Sequence, residues 1–213
     1  MSSTESAPLR SSFTIRGSTT LITEFFDFSV NNILYQRGIY PMDDFKTVKK
    51  YGMNLLVTHD EDIKSYIRKF MKQVHVWLKA GKVSRFVLVI VNKNTGDVVE
   101  KWQFNINVNE EDQDASSLNQ QHEISPEQIQ SQIQAIIRQI TSCVTFLPNL
   151  EVNEYTFNIL VFTDVTTALP QNNEWVDSSD YKLNIEGEEC VQLKSLKTNL
   201  HTVDTLVSYK TAN

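Results

Sequence analysis

The side chains able to ligate a metal, attack a substrate or exchange protons are scattered through this chain of 213 residues. The four histidines, His59, His75, His122 and His201, stand apart, and Cys143 and Cys190 form no paired ligand motif, so no zinc pattern is present. The six glycines do not cluster into a phosphate-cradling loop, and there is no nucleophile elbow. Asp60-Glu61-Asp62 and Glu110-Glu111-Asp112 read as helix-start and solvated-loop charge. Glu186, Glu188 and Glu189 flank Gly187 without calcium-loop spacing. Catalysis would need a constellation assembled wholly by tertiary structure. Pattern alone points to a protein that works by binding, with no enzyme activity, metal or cofactor.

Three side chains are candidates for contact. Arg138 shares a helical stripe with Gln134 and Ser142 at four-residue spacing and precedes Gln139. That stripe is either an interaction face with an arginine anchor or the solvated side of a helix. Phe146 lies off the main apolar stripe and suits either an extension of such a contact or a cap on the core. Glu100 falls on the same strand face as Val98, Trp102, Phe104 and Ile106. It reads as an edge-strand carboxylate, with a buried or interfacial one as the alternative.

The element that must position Arg138 is a long helix. Ser125-Pro126-Glu127-Gln128 has a cap, a proline at the first helical position and a glutamine placed to close a capping box. Ile129, Ile133, Ile136, Ile137, Ile140, Val144 and Leu147 then recur at helical spacing, predicting about six turns before Pro148. Tyr155 to Thr163 has the branched and aromatic composition of a strand. A first helix from Ser18, as cap, to about Arg37 is apolar over most of its circumference and belongs at the centre of the fold. Gly38 and Pro41 end it. Phe13-Thr14-Ile15 suggests a short edge strand. Thr58-His59-Asp60-Glu61 offers a second capping box ahead of an amphipathic helix carrying Trp77 and ending near Gly81. Arg85 to Val91 reads as an interior strand, and Val98 to Ile106 as the return arm of a hairpin. Short, weaker strands are expected at Cys190 to Leu196 and Val203 to Tyr209, and these are the natural candidates for rearrangement.

Residues 1–12 are polar and read as a flexible tail. Asn107 to Glu123 has the composition of a mobile loop, but the sheet needs the strand beyond it, so residues 13–213 are kept as one domain. Hydrophobic residues make up 40% of the chain, enough for one substantial core. The formal charge of −6 gives no support for nonspecific nucleic-acid or membrane adhesion. No run approaches the roughly 18 apolar residues of a membrane span. Two distant cysteines fit a reducing compartment, cytosolic or nuclear.

Several stretches resemble the HORMA-domain family, and within it the spindle-assembly-checkpoint members. They are Ile15-Arg16-Gly17-Ser18, Ile33-Leu34-Tyr35-Gln36-Arg37-Gly38-Ile39-Tyr40-Pro41, Lys50-Tyr51-Gly52, Leu55-Leu56-Val57-Thr58, Glu100-Lys101-Trp102-Gln103-Phe104, Ile137-Arg138-Gln139-Ile140-Thr141 and Val144-Thr145-Phe146-Leu147-Pro148. The resemblance implies an α+β fold: a three-helix layer packed on a central antiparallel sheet, with a mobile C-terminal safety belt over residues 166–213. In the family that belt has an open and a closed arrangement, and the closed one encircles a partner peptide added as a strand to the sheet edge. By resemblance the exposed strand is Tyr155 to Phe162, with Tyr155, Phe157, Ile159 and Val161 in the partner-peptide region beside Trp77 and Trp175. Arg138, Gln139 and Phe146 would lie at the contact between open and closed copies, and Ile15 would balance the two states.

The implied function is a conformational switch that inhibits the Cdc20-activated anaphase-promoting complex until kinetochores attach. The implied partners are mitotic arrest deficient 1, a Cdc20-type activator, a checkpoint protein of the BubR1 or Mad3 class, a second copy of the chain, and an AAA-type remodeller with its adaptor. The implied locations are nucleus, cytoplasm, kinetochore and nuclear envelope or pore. Another HORMA adaptor, such as a meiotic axis protein or a translesion-polymerase accessory subunit, is the alternative; the absence of an appended helical or chromatin-binding segment favours the checkpoint branch.

Overall fold

The computed structural model describes residues 15–109, 124–168, 170, 175–176, 178 and 187–211. The expected tail at 1–12 and most of the expected loop at 107–123 lie outside the described residues. Asn107 and the residue after it still belong to a strand.

Helix α1 (Ile15–Gln36) runs through the middle of the helical layer, against α2 (Glu61–Lys79), α3 (Pro126–Cys143) and a β-hairpin. Its Ile22, Phe25, Phe26, Val30, Ile33 and Leu34 are fully buried, which matches a helix apolar on more than one side. The helix starts before Ser18, so Ser18 is an interior residue and not the cap its type suggested. Ile15 is helical and does not end a short strand. Gly38 has φ of +62° and the Ile39 N–H donates to the Leu34 carbonyl, closing the helix end in the left-handed turn that glycine tolerates.

The segment after α1 forms a hairpin of its own, β1 (Phe45–Lys50) and β2 (Met53–Thr58). Its turn is Tyr51-Gly52, both at positive φ, the geometry of a type I′ turn. Helix α2 is capped by Asp60, whose carboxylate accepts from the Asp62 and Ile63 N–H groups, and not by Thr58. Thr58 is occupied elsewhere: its N–H donates to Asn31 Oδ1 on α1 and its hydroxyl to the Asp44 carbonyl.

The main sheet comprises β3 (Val83–Asn92), β4 (Val98–Val108), β5 (Tyr155–Thr163), β6 (Glu188–Gln192), β7 (Leu196–Lys197) and β8 (His201–Lys210). The order is β5-β3-β4-β8-β6, with β7 also on β8, and every pairing is antiparallel. Strand β3 is interior, as its apolar run requires, and Phe86 stacks on Phe26 of α1 at 4.6 Å. The capping box at Ser125 and Gln128 forms as predicted. Helix α3 stops at Cys143, short of six turns. Pro148 disfavours helical backbone at Leu147, and the intervening residues make tight turns that leave Val144 exposed. The C-terminal strands are stronger than their polar alternation suggested: β8 is ten residues long and paired on both sides.

Glu100 is not an edge carboxylate. It is 1% exposed, paired with Arg37 at 2.8 Å, and accepts the Trp102 indole N–H at 2.6 Å. Burial pushes the Glu100 carboxyl up, and the Arg37 guanidinium opposes it. Arg37 also donates to the Pro148 carbonyl, tying the end of α1 to β4 and to the turn after α3. Replacing Glu100 by Ala is expected to cost about 3–5 kcal/mol of stability, because it strands a buried guanidinium. Urea denaturation measures it, and a loss under about 1 kcal/mol contradicts the assigned role.

Candidate functional site

Two surfaces bring the sequence candidates together. On β5, Phe157 and Ile159 are buried toward the helices, with Tyr155 and Val161 half-buried on the same side. Phe157 sits edge-on between Tyr40 and Tyr66, at 6.0 and 5.7 Å. Tyr66 neighbours Phe70, which meets Trp175 at 4.9 Å, and Trp175 in turn meets Trp77 at 4.8 Å. Trp77 and Trp175 thus join the β5 residues through one aromatic row. Sequence reasoning missed Tyr40, Tyr66 and Phe70 as members. The spacing of Tyr66, Phe70 and Trp77 on one face of α2 was the available signal.

Among the described residues β5 is the terminal strand of the sheet, and β6 is the terminal strand at the opposite side. Thr163 therefore ends the strand at one edge and Glu188 begins the strand at the other, across a width of about 19 Å at four inter-strand spacings.

The second surface lies on α3. Arg138 is exposed, with its guanidinium 3.4 Å from Gln134 Oε1, and the Gln134 amide donates to the Tyr51 carbonyl. Gln139 is half-buried, and its side-chain oxygen accepts the Lys194 N–H at 2.7 Å. Gln132 does the same for Lys197 at 2.6 Å, so α3 clamps the backbone around β7. Phe146 is 44% exposed and rests against Tyr209 of β8 at 6.0 Å. The Tyr209 hydroxyl donates to Glu189 on β6, which raises its pKa. Gln139 and Phe146 therefore lie beside the C-terminal strands, whereas Arg138 is exposed on α3 next to Gln134. Ile15 opens α1, and its side chain lies outside what the structure describes.

A polar cluster that no sequence motif announced fixes the same C-terminal strands to α1. Ser18 Oγ lies 2.9 Å from both Thr198 Oγ1 and His201 Nδ1, and all three residues are buried. The His201 N–H also donates to Thr198 Oγ1. Cys143 is buried, which pushes its thiol up to about 11 and leaves it unreactive at neutral pH. No group of histidine, cysteine or carboxylate side chains able to hold a metal occurs among the described residues.

A model of the HORMA domain matches residues 18–201. The chain is 46% identical over 206 residues to the mitotic spindle checkpoint component mad2 of Schizosaccharomyces pombe, covering 96% of this chain and 98% of that protein. It is 48% identical over 200 residues to the mitotic spindle checkpoint component MAD2 of Saccharomyces cerevisiae, covering 93% and 98%. Among solved structures, a chain of the mitotic checkpoint complex superposes with a TM-score of 0.79 at 43% identity, covering 92% of this chain and 100% of that one.

Burial lowers the His201 pKa below its ordinary value of 6.5. The folded state then binds fewer protons than the unfolded one between those two values. The stability that neutral His201 supplies is complete above pH 6.5 and is lost as pH falls through the depressed value. Unfolding free energies between pH 7.5 and 5 should decline, and His201→Asn should flatten the decline; an identical pH dependence in that variant contradicts this role.

Proposed function

The chain belongs to the HORMA-domain family and serves the spindle-assembly checkpoint, and we propose that it captures partner peptides as an added strand on the outer edge of β5. It is a non-catalytic adaptor. One observation carries the capture reading: the C-terminal strands pair on the β4 side of the sheet and leave β5 terminal. An incoming strand would find the outward N–H and C=O groups of Tyr155 to Phe162 as its hydrogen-bond partners and the aromatic row as the wall for its side chains.

In this reading residues 13–213 are one HORMA domain, and residues 166–213 are the safety belt in its closed arrangement. The chain leaving β5 at Thr163 passes around the captured strand and rejoins the sheet at β6, with Trp175 anchored on Phe70 and Trp77. An open copy would carry the C-terminal strands elsewhere, so closure and release both require the β4–β8 ladder to form or break. That exchange makes the switch slow. Ile15 would bias the two states from the start of α1, one turn before Ser18 and its contacts to the C-terminal region.

The peptides would come from mitotic arrest deficient 1 at the kinetochore and from the Cdc20-type activator of the anaphase-promoting complex. A closed copy would recruit an open one through Arg138, Gln139 and Phe146, and a protein of the BubR1 or Mad3 class would complete the inhibitory assembly. An AAA-type remodeller with its adaptor would reset it. The protein acts in nucleus and cytoplasm and at the kinetochore; we place the nuclear envelope or pore beside these as a further location.

NMR of the labelled protein with peptides from the two named partners tests capture. The amides of β5 and of residues 187–211 should shift together in slow exchange, and no binding by either peptide rejects the reading. Separately, Arg138→Glu should weaken the self-dimer at least tenfold in sedimentation equilibrium while leaving peptide capture unchanged. An unaltered dimer would remove Arg138 from the interface.

A further inference from the structure

The formal charge of −6 is spread unevenly along the chain. Strand β1 and the part of α2 from Ile63 to Lys79 hold eight of the 20 lysines and arginines and no acidic residue. The remaining residues carry twelve cations against all 26 acids, so these two elements are a basic island in an acidic chain.

On α2, Lys64, Arg68, Lys72 and Lys79 fall within an arc of about 80°, a single stripe roughly 22 Å long. Arg68, Lys72 and Lys79 are exposed and Lys64 is half-buried. Like charges four residues apart work against a helix, and Lys64, Arg68 and Lys72 repeat that spacing twice. Glu61 pairs with Lys64 at 2.7 Å, a solvent-exposed contact worth little. The aromatic row of Tyr66, Phe70 and Trp77 lies on the opposite side of α2, so the stripe is separate from the β5 surface.

The stripe borders a cavity of about 250 Å³ between α1, α2 and the β1–β2 hairpin. Lys46 of β1 joins Lys64 and Arg68 in lining it, beside the apolar Val57, Ile67 and Met71. Asp27 is the carboxylate in that lining, and it accepts from the Asn31 side-chain amide at 3.0 Å. Three cations against one carboxylate leave the cavity with an excess of positive charge.

We propose that this face binds an acidic segment of a protein partner, about seven extended residues laid along α2, with one carboxylate side chain entering the cavity beside Lys46 and Arg68. The length of the stripe selects a short segment. Beyond it the excess of acids on the rest of the chain repels a nucleic acid or an anionic membrane, both of which extend past the patch.

A fluorescent decapeptide of alternating glutamate and serine is the probe, with a twin carrying glutamine for glutamate. At about 150 mM salt, where charges are screened beyond about 8 Å, anisotropy should show binding of the acidic peptide and none of its twin. Arg68→Glu should weaken binding about fivefold, through one exposed ion pair lost and a repulsion gained. Lys93→Glu, the same charge change on the β3–β4 turn, should leave it unchanged. Amide shifts should gather at Lys46 and from Lys64 to Lys79. Absence of binding, equal binding of the glutamine twin, or equal losses in the two variants overturns the proposal. So does tighter binding, at the same salt, of single-stranded oligonucleotide or of phosphatidylserine vesicles.

Discussion

The pairing of β8 with β4 is the constraint on which the arrangement of this protein depends. From Glu100 opposite Tyr209 to the far end of β4 opposite His201, the two strands run in continuous antiparallel register. With β6 on its other side, β8 has partners for both rows of its backbone groups, which is what a strand inside a sheet requires. Placing β8 there consumes the free edge of β4 and, among the described residues, leaves β5 terminal. The position of the C-terminal strands and the availability of β5 are one decision.

Side chains reinforce that decision from three directions. Ser18 reaches from α1 to Thr198 and His201, and Gln132 and Gln139 reach from α3 to the backbone at Lys197 and Lys194. At the far end of the ladder, Tyr209 lies between Phe146 and Glu189. Buried polar groups are costly when unpaired, so a C-terminal region that left β4 would leave the buried Ser18 hydroxyl in search of a partner, while the half-buried glutamines could turn to water. The helical layer is thereby informed of where β8 lies. A surface on α3 and the turn after it, including Gln139 and Phe146, is built partly from contacts to the C-terminal strands, and its shape depends on their position.

The aromatic packing beneath the sheet is a different kind of support. Phe25, Phe26, Phe86 and Phe104 form a core shared by α1, β3 and β4, and Phe70 joins it from α2. None of these residues lies in the C-terminal strands. The Arg37–Glu100 pair likewise joins α1, β4 and the turn at Pro148 without them. The C-terminal strands are held by polar contacts and also by Leu196, Val203 and Val207, fully buried in the same core, so a rearrangement of this region must exchange apolar packing as well as hydrogen bonds.

Much of this fold was legible in the sequence because it is written in near neighbours. The Ser125 capping box, the isoleucine stripe of α3, the encircling apolar surface of α1 and the β3–β4 hairpin each follow from spacing and propensity within one element. The β5 run with its aromatic and branched residues announced a strand. Nothing local could reveal that Ser18 meets His201 across 183 positions and so cannot be a cap. Nor could it reveal that Arg37 neutralises Glu100 in the interior, that Gln139 is engaged by Lys194, or that β8 lies inside the sheet. Tyr66 looked like one more apolar residue of α2 until β5 was placed beside it. Periodicity fixes which face of an element is buried, whereas the partner of a strand edge or a buried polar group is chosen among residues distant in sequence. Only the tertiary structure makes that choice, because only there do the desolvated donors and acceptors have to find each other.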